Sequence, residues 1–310
     1  MRIVSLIASA TEIVCALGYE SSLVGRSHEC DFPPSVRSLP VLTQPRFDPV
    51  GTSREIDRRV KSLAVRSPAR DALGVYEVFA DKLRELHPTH IITQTQCDVC
   101  AVSLRDVEAA VREITDLDVR IVSLQPNSIE NVWTDMLRTA DALEDPAAGE
   151  RLVESVRERI DAVASRSKSI GRRPRIAGIE WVDPLMAFGN WTPELIRLAG
   201  GECLFGIHGE HSPWMQFEQI VEADPDVIVI APCGFDLARA REDVPLLAAR
   251  PEWSRLRAAR LGRVYVADGN QYFNRPGPRL VETVEILAEI LHPEAFSFGH
   301  EGGGWERTGR

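Results

Sequence analysis

The sequence predicts an α/β protein: two Rossmann-like lobes with mainly parallel sheets, joined by one long backbone helix. Three observations carry that expectation. Short β-branched runs alternate with amphipathic helical stretches, the pattern of parallel α/β sheets. The alternation occurs twice, over residues 1–127 and again over 171–293. Between them, residues 128–170 read as helix, including one stripe long enough to cross a domain. The expected division is an N-terminal lobe at 1–127, a helical segment with the inter-lobe spine at 128–170, a C-terminal lobe at 171–293 and a disordered tail at 294–310.

In the first half the strand candidates are Arg2–Leu6, Leu23–Ser27, His90–Thr93 and Arg120–Leu124, with helical patterns at Ala10–Leu17, Glu77–Leu86 and Ser103–Thr115. The apolar run IVSLIASA after Met1-Arg2 faintly resembles an export signal, but Glu12 interrupts it and a strand entering a helix is the better reading. In the second half, strands are expected at Arg175–Glu180, Val227–Ala231 and Arg263–Ala267. Helices are expected at Pro193–Ala199, Phe217–Ala223, Leu246–Ala259 and Pro278–Leu291. In the middle, Ile129, Val132, Trp133, Met136, Leu137, Ala140 and Leu143 follow helical spacing. Asp145-Pro146 then reads as an N-cap with Pro at the first helical position. Leu152, Val153, Val156, Ile160 and Val163 supply the apolar stripe of the spine, a rod of roughly 33 Å at 1.5 Å per residue. Gly171-Arg172-Arg173-Pro174 stops it.

Composition narrows the function. The 310 residues hold 36 basic and 46 acidic side chains, a net charge of −10, which argues against nucleic acid or an anionic membrane as partner. No stretch approaches the roughly 20 apolar residues of a membrane span. Six cysteines are too sparse for a disulfide scaffold, so reduced thiols and a cytoplasmic location are expected. The alternative is a periplasmic or cell-surface location with a signal upstream.

An internal echo links the halves. Asp81 lies seven residues before Pro88 and Glu218 seven before Pro225, each ahead of a core strand. Acids favour helix N-termini through the macrodipole, which accounts for each acid singly but not for the matched offset.

Ligands of parallel sheets collect beyond the carboxyl ends of the strands. The loops expected there are rich in chemistry: His28-Glu29-Cys30, Gln94 to Cys100, Trp181 to Pro184, Phe188 to Trp191, Pro232 to Phe235, and Asp268 to Arg275. His208, His211 and Trp214 lie in another polar loop. Aromatics in loops offer flat surfaces for a bulky ligand, with polar groups to orient it.

At these residues the chain resembles the helical-backbone (class III) substrate-binding proteins that serve importers of cobalamin, haem and ferric siderophores. The resemblance is to the cobalamin-binding branch in a non-secreted form, and it covers nearly the whole chain. It rests on RIVSLIASATEIVCALG, LVGRSHECDFP, the Asp145–Ser167 spine, LIRLAGGECLFG and FEQIVEADPDVIVIAP. It implies two α/β lobes bridged by one helix, no catalysis and no catalytic cofactor, and a corrinoid held between the lobes. It also implies aromatics at Trp181, Trp191, Trp214, Tyr272 and Phe273 around the ring, with Pro184 in the same loop, and basic groups at Arg275 and Arg279. His28, Glu29, Gln96 and Cys97 stand where exported members carry aromatic and hydroxyl groups, and are assigned to the ligand. Asp81 and Glu218 fall where an ABC importer permease docks. A monomer is expected.

Other readings attach to the same residues. Cys97-x-x-Cys100 could hold a metal ion, with His28, Cys30 and Cys233 completing the set, could be a redox pair, or could be packing or ligand lining. A haem, metal-chelate or metal-ion binding protein is therefore the alternative function. A cysteine enzyme would use Cys97 as nucleophile with Asp98, Glu29 and His28 as acid–base groups, but no nucleophile elbow, P-loop or HExxH motif accompanies them. Arg54–Arg70 reads as a solvated helix and loop. The tail glycines of GHEGGGWERTG lack the flanking strand and helix of a phosphate loop.

Overall fold

The first strand, β1 (Ile3–Ser5), is buried along its whole length and leads directly into α1 (Ala8–Ala16), whose Glu12 is buried. The computed structural model describes residues 1–66, 75–94 and 119–309. The chain divides into two units: residues 1–51, 55–126 and 130–154 form the first, and 52–54, 127–129 and 155–310 the second.

The first unit continues through β2 (Leu23–Arg26), β3 (Thr43–Pro45), α2 (Ser53–Arg66), β4 (Tyr76–Val78), α3 (Ala80–Glu85), β5 (His90–Gln94) and β6 (Arg120–Leu124). Its main sheet has the order β2-β1-β5-β6, every pair parallel. Val4, Leu6, Leu42, Leu83 and Ile91 form its core. α4 (Ile129–Ala142) follows, then α5 (Pro146–Ile170), an unbroken helix of 25 residues. Asp145 Oδ1 accepts the Ala148 N–H at 3.0 Å, the N-cap its position predicts. Val153, Val156, Ile160 and Val163 are all buried on one stripe of α5. Gly171, at φ +73°, ends it as glycines do after helices.

The second unit holds β7 (Arg175–Trp181), β8 (Met186–Ala187), α6 (Thr192–Leu198), β9 (Glu202–Cys203), α7 (Phe217–Ala223), β10 (Val227–Ile230), α8 (Leu237–Ala248), α9 (Arg257–Arg260), β11 (Val264–Ala267), α10 (Leu280–Leu291) and β12 (Trp305–Arg307). Its sheet runs β12-β11-β10-β7-β8, with β9 also on β7. The β7, β9, β10 and β11 pairings are parallel, while β8 and β12 are antiparallel. All four residues of β10 are inaccessible, which explains its unbroken Val-Ile-Val-Ile run. Among the described residues no helix is long and apolar enough to cross a membrane.

Three expectations are corrected. The helix expected at Glu77–Leu86 is shorter, because Tyr76–Val78 pairs antiparallel with Thr43–Pro45 before α3 begins. The helix expected at Leu246–Ala259 instead spans Leu237–Ala248. Asp236 caps it by accepting the Arg239 N–H at 2.8 Å, and the helix carries Pro245 within it. The tail expected to be disordered contains β12, which pairs with β11 through Tyr265–Arg307 and Ala267–Trp305. Trp305 is buried, packs edge-on to Tyr265 and donates its indole N–H to Glu289 at 2.7 Å. The helix expected at Ser103–Thr115 lies outside the described residues.

Trp305→Ala is expected to destabilise the protein by about 3–5 kcal/mol, since it removes a buried ring and a donor to the buried Glu289 carboxylate. Urea unfolding measures it. An unchanged midpoint would mean that the tail is dispensable.

Candidate functional site

In the second unit, three loops leave the carboxyl ends of neighbouring parallel strands and close on one another. Trp181, at the end of β7, lies 5.2 Å from the Phe235 ring in the loop after β10. The loop after β11 is tied to that same loop: Asn270 N–H donates to the Phe235 carbonyl at 3.0 Å, and Asn274 Nδ2 to the Ala231 carbonyl at 3.2 Å. Gly269 permits the approach, because a Cβ there would stand 2.1 Å from the Pro232 carbonyl oxygen. Residues Gly269–Phe273 form a single π-helical turn, capped by Asp268, which accepts the Gln271 N–H at 2.7 Å.

A fourth segment presents Trp214. Ala187 N–H donates to the Pro213 carbonyl and Met215 N–H to the Leu185 carbonyl, both at 2.9 Å, so the tryptophan backbone is clamped to β8. Its side chain remains 56% exposed, a large apolar surface in water. Tyr272, Trp181 and Pro184 are half-buried. The Arg279 guanidinium lies 5.2 Å from the Tyr272 ring centre.

Other expected ligand residues are placed differently. Phe273 is inaccessible and stacks on Phe188 at 5.4 Å, and the buried Trp191 donates its indole N–H to the Phe273 carbonyl at 3.0 Å. These two aromatics are therefore packing beneath the loops rather than ligand surface. Arg275 and Arg279 are also buried. Their guanidinium groups donate to Asn270 Oδ1 at 3.2 Å and Gln271 Oε1 at 3.3 Å, which braces the turn from behind.

Sequence reasoning missed Glu180. It is buried, and it accepts the Ser212 hydroxyl at 2.8 Å and the Gly189 N–H. Burial pushes its pKa up to about 7, against the opposing pull of Ser212, Gly189 and His211. Its only signal was an acid set in an otherwise apolar strand, RIAGIEW.

In the first unit, the loop after β2 carries His28, Glu29 and Cys30. His28 rests edge-on against the Tyr76 ring at 4.8 Å, and Tyr76 donates its hydroxyl to Glu29. Cys30 is buried, with Thr11 Oγ1 2.9 Å from its sulfur. It belongs to a cluster of buried hydroxyls, Ser5, Thr11, Ser27 and Thr43, at the carboxyl ends of the strands. The Gln96, Cys97, Asp98 and Cys100 assignments lie outside the described residues. Of the described thiols, Cys15 is pushed up to about 12 by burial and by the Glu20 and Glu12 carboxylates, and burial also raises Cys203. Both are thus favoured as neutral thiols over thiolates.

The paired acids occupy equivalent positions in the two units. Asp81 is the second residue of α3 and Glu218 the second of α7, and both are exposed. Asp81 also pairs with Arg84 at 2.8 Å.

Two α/β units with mainly parallel sheets, sharing one long helix and bearing an aromatic loop cluster, define a ligand-binding protein of the two-lobed class. The chain belongs to the periplasmic binding protein family, whose model matches residues 3–270. Its role is binding and not catalysis. It is 23% identical over 307 residues to the uncharacterized ABC transporter substrate-binding lipoprotein YvrC of Bacillus subtilis, covering 95% of this chain and 81% of that one. Among solved structures it resembles the periplasmic heme-binding protein RhuT of Roseiflexus sp. RS-1, with a TM-score of 0.68, 23% identity and coverage of 95% and 98% of the two chains. It also resembles the periplasmic vitamin B12 binding protein BtuF of Vibrio cholerae, with a TM-score of 0.64, 20% identity and coverage of 94% and 96%.

Glu180 makes stability depend on pH. Its folded-state pKa of about 7 exceeds the ordinary 4.5, so the folded chain holds this proton more tightly than the unfolded one. Stability is therefore undiminished below about pH 4.5 and falls as pH rises to 7, by up to about 3 kcal/mol. Glu180→Gln should flatten that slope in thermal melts between pH 5 and 8, and an unaltered slope would refute the assignment.

Proposed function

We propose that the protein binds a corrinoid at the loops following its parallel strands, as an ABC-importer substrate-binding protein or a cytosolic relative of one. The observation that carries this reading is the aromatic surface of Trp214, Trp181 and Tyr272 beside a turn whose polar groups are neutral amides, Asn270, Gln271 and Asn274. Flat aromatic faces suit a macrocycle. A haem edge bears carboxylates and would call for cations, yet Arg275 and Arg279 are buried behind the turn. The vitamin B12 and heme binding named for the two structural neighbours supports a tetrapyrrole-like ligand, and the name of the Bacillus relative supports an ABC transporter.

Cyanocobalamin titration, followed by tryptophan fluorescence and calorimetry, is expected to show saturable binding with a Kd below about 100 µM. Absence of saturable binding with several corrinoids would sink the reading. Trp214→Ala should weaken binding by about 2 kcal/mol, the loss typical of an exposed aromatic anchor that becomes buried in a complex.

The proposed location is the cytosol, supported by the free thiols at Cys15, Cys203 and Cys233. Fractionation of native cells tests it. For a cytosolic protein, reversing the charge of Asp81 and Glu218 should leave corrinoid uptake unchanged. A protein recovered outside the membrane would make these two acids docking points for a permease. There the double reversal should abolish uptake while leaving ligand binding intact.

A further inference from the structure

The glycine-rich tail is bonded to the Gly269–Phe273 turn that carries Tyr272, and every residue involved lies in the second unit. One buried carboxylate on α10 clips the tail to that helix. Glu289 accepts the Phe298 N–H, the Gly299 N–H at 2.8 Å and the Trp305 indole N–H at 2.7 Å. His300 lies between these contacts. Its carbonyl accepts the Gly304 N–H at 2.7 Å, and the Gly304 carbonyl accepts the Asp268 N–H at 2.9 Å. Asp268 is the residue that caps the turn, so two backbone bonds lead from His300 to it. A second path runs through side chains. The His300 and Tyr272 rings meet edge to face with centres 6.2 Å apart. His300 Nε2 also lies 2.9 Å from Glu285 Oε2, and the other oxygen of that carboxylate accepts Arg159 of the spine helix at 2.8 Å. The hydrogen bond to Glu285 raises the His300 pKa above its ordinary value against the opposing effect of burial, as a charge-assisted bond does. Gly304 permits the close approach, because a Cβ there would stand 2.8 Å from Ile286 Cδ1 and 3.3 Å from Tyr272 Cε2.

We propose that His300–Trp305 is a strap that fixes the ligand turn, with His300 as the positioning residue for the Tyr272 ring. The inference rests on the reading above that Tyr272 belongs to the ligand surface. The backbone of Tyr272 is held separately, its carbonyl accepting the Thr283 hydroxyl at 3.0 Å, so His300 acts on the ring. A ring fixed in advance loses less freedom when a ligand settles on it. The strap therefore contributes affinity through Tyr272 and not through a contact of its own.

The test has one arm without ligand and one with it, both on the full chain. Hydrogen exchange read by mass spectrometry over residues 268–274 should quicken about ten-fold in His300→Ala and in Gly304→Ala, while residues 217–230, covering α7 and β10, exchange as before. Cyanocobalamin, titrated by calorimetry, should bind His300→Ala about five-fold more weakly than the unaltered chain. In a Tyr272→Ala background the same change should weaken it less than about two-fold, because a residue that acts through Tyr272 then has nothing to position. A general loss of fold would weaken both backgrounds alike. The positioning role is overturned if exchange over 268–274 is unchanged in both variants, or if His300→Ala weakens cyanocobalamin equally with and without Tyr272. Failure of the unaltered chain to bind cyanocobalamin would sink the corrinoid reading alone, and the exchange arm would then decide the strap by itself.

Discussion

Strands buried on both faces leave a chain few places to put polar chemistry except the strand ends. β10 is the clearest case, with four consecutive aliphatic side chains inaccessible to water. Its neighbours β7 and β11 are parallel to it, so their carboxyl ends emerge together and their loops must pack on each other. The contacts Trp181–Phe235, Asn270–Phe235 and Asn274–Ala231 are the direct result. Everything functional in this unit follows from that constraint. The loops are short of freedom because they brace one another, and a braced loop can hold a large aromatic such as Trp214 open to solvent without collapsing onto it.

The two units solve the same problem with different chemistry. The second covers its strand ends with rings and amides. The first covers them with hydroxyls: Ser5, Thr11, Ser27 and Thr43 are buried, and each is bonded to another polar group. Buried hydroxyl clusters are costly unless satisfied, and satisfied ones fix proton positions. Thr11 Oγ1 lies 2.8 Å from Ser5 Oγ and beside the Cys30 sulfur, which keeps that thiol inside the fold. Only His28 and Glu29 of the motif reach the partly exposed layer. The His-Glu-Cys motif therefore splits by depth into a half-buried outer pair and an inner thiol that packs.

Much of this was legible in the sequence, and the failures have physical reasons. Strands such as Arg120–Leu124 and helices such as Phe217–Ala223 could be read because burial imposes a period on their side chains. The spine start was legible because Asp145-Pro146 encodes its own cap. The start of α8 was not, since it depends on Asp236 accepting the Arg239 N–H in a helix that carries Pro245 within it. The tail misled through composition: its glycines suggest freedom, yet Trp305 and the buried Glu289 bind it to the sheet. The aromatic-in-loop rule picks out Trp214, which is exposed, and Tyr272, which is half-buried, but it also takes in Trp191 and Phe273, which are buried. A loop that packs on other loops has an inside, and period alone does not show which residues face it. Glu180 was invisible for the same reason, because its partner Ser212 lies far along the chain.

The repeated acid motif shows how a local rule can produce a global match. In α3 the acid Asp81 precedes the buried Leu83 by two residues, and in α7 Glu218 precedes the buried Ile220 by two. Two residues of helix turn the side chain through about 200°, so burying the aliphatic residue drives the acid to the opposite, outward face. Each helix is then closed by a non-glycine residue in the left-handed region, His87 at φ +42° and Asp224 at φ +41°, directly before a proline. Such a residue is strained, and an acid preference at helix N-termini does not call for it. What does call for it is the return of the chain into a core strand within three residues, at His90 in one unit and Val227 in the other. Asp224 is held in place by accepting the Arg257 N–H at 2.7 Å, and His87 by donating its own N–H to the Arg84 carbonyl at 3.1 Å. The anchors differ while the backbone path is the same. The shared feature is therefore the helix–turn–strand path itself, and the two exposed carboxylates are equivalent because that path is repeated.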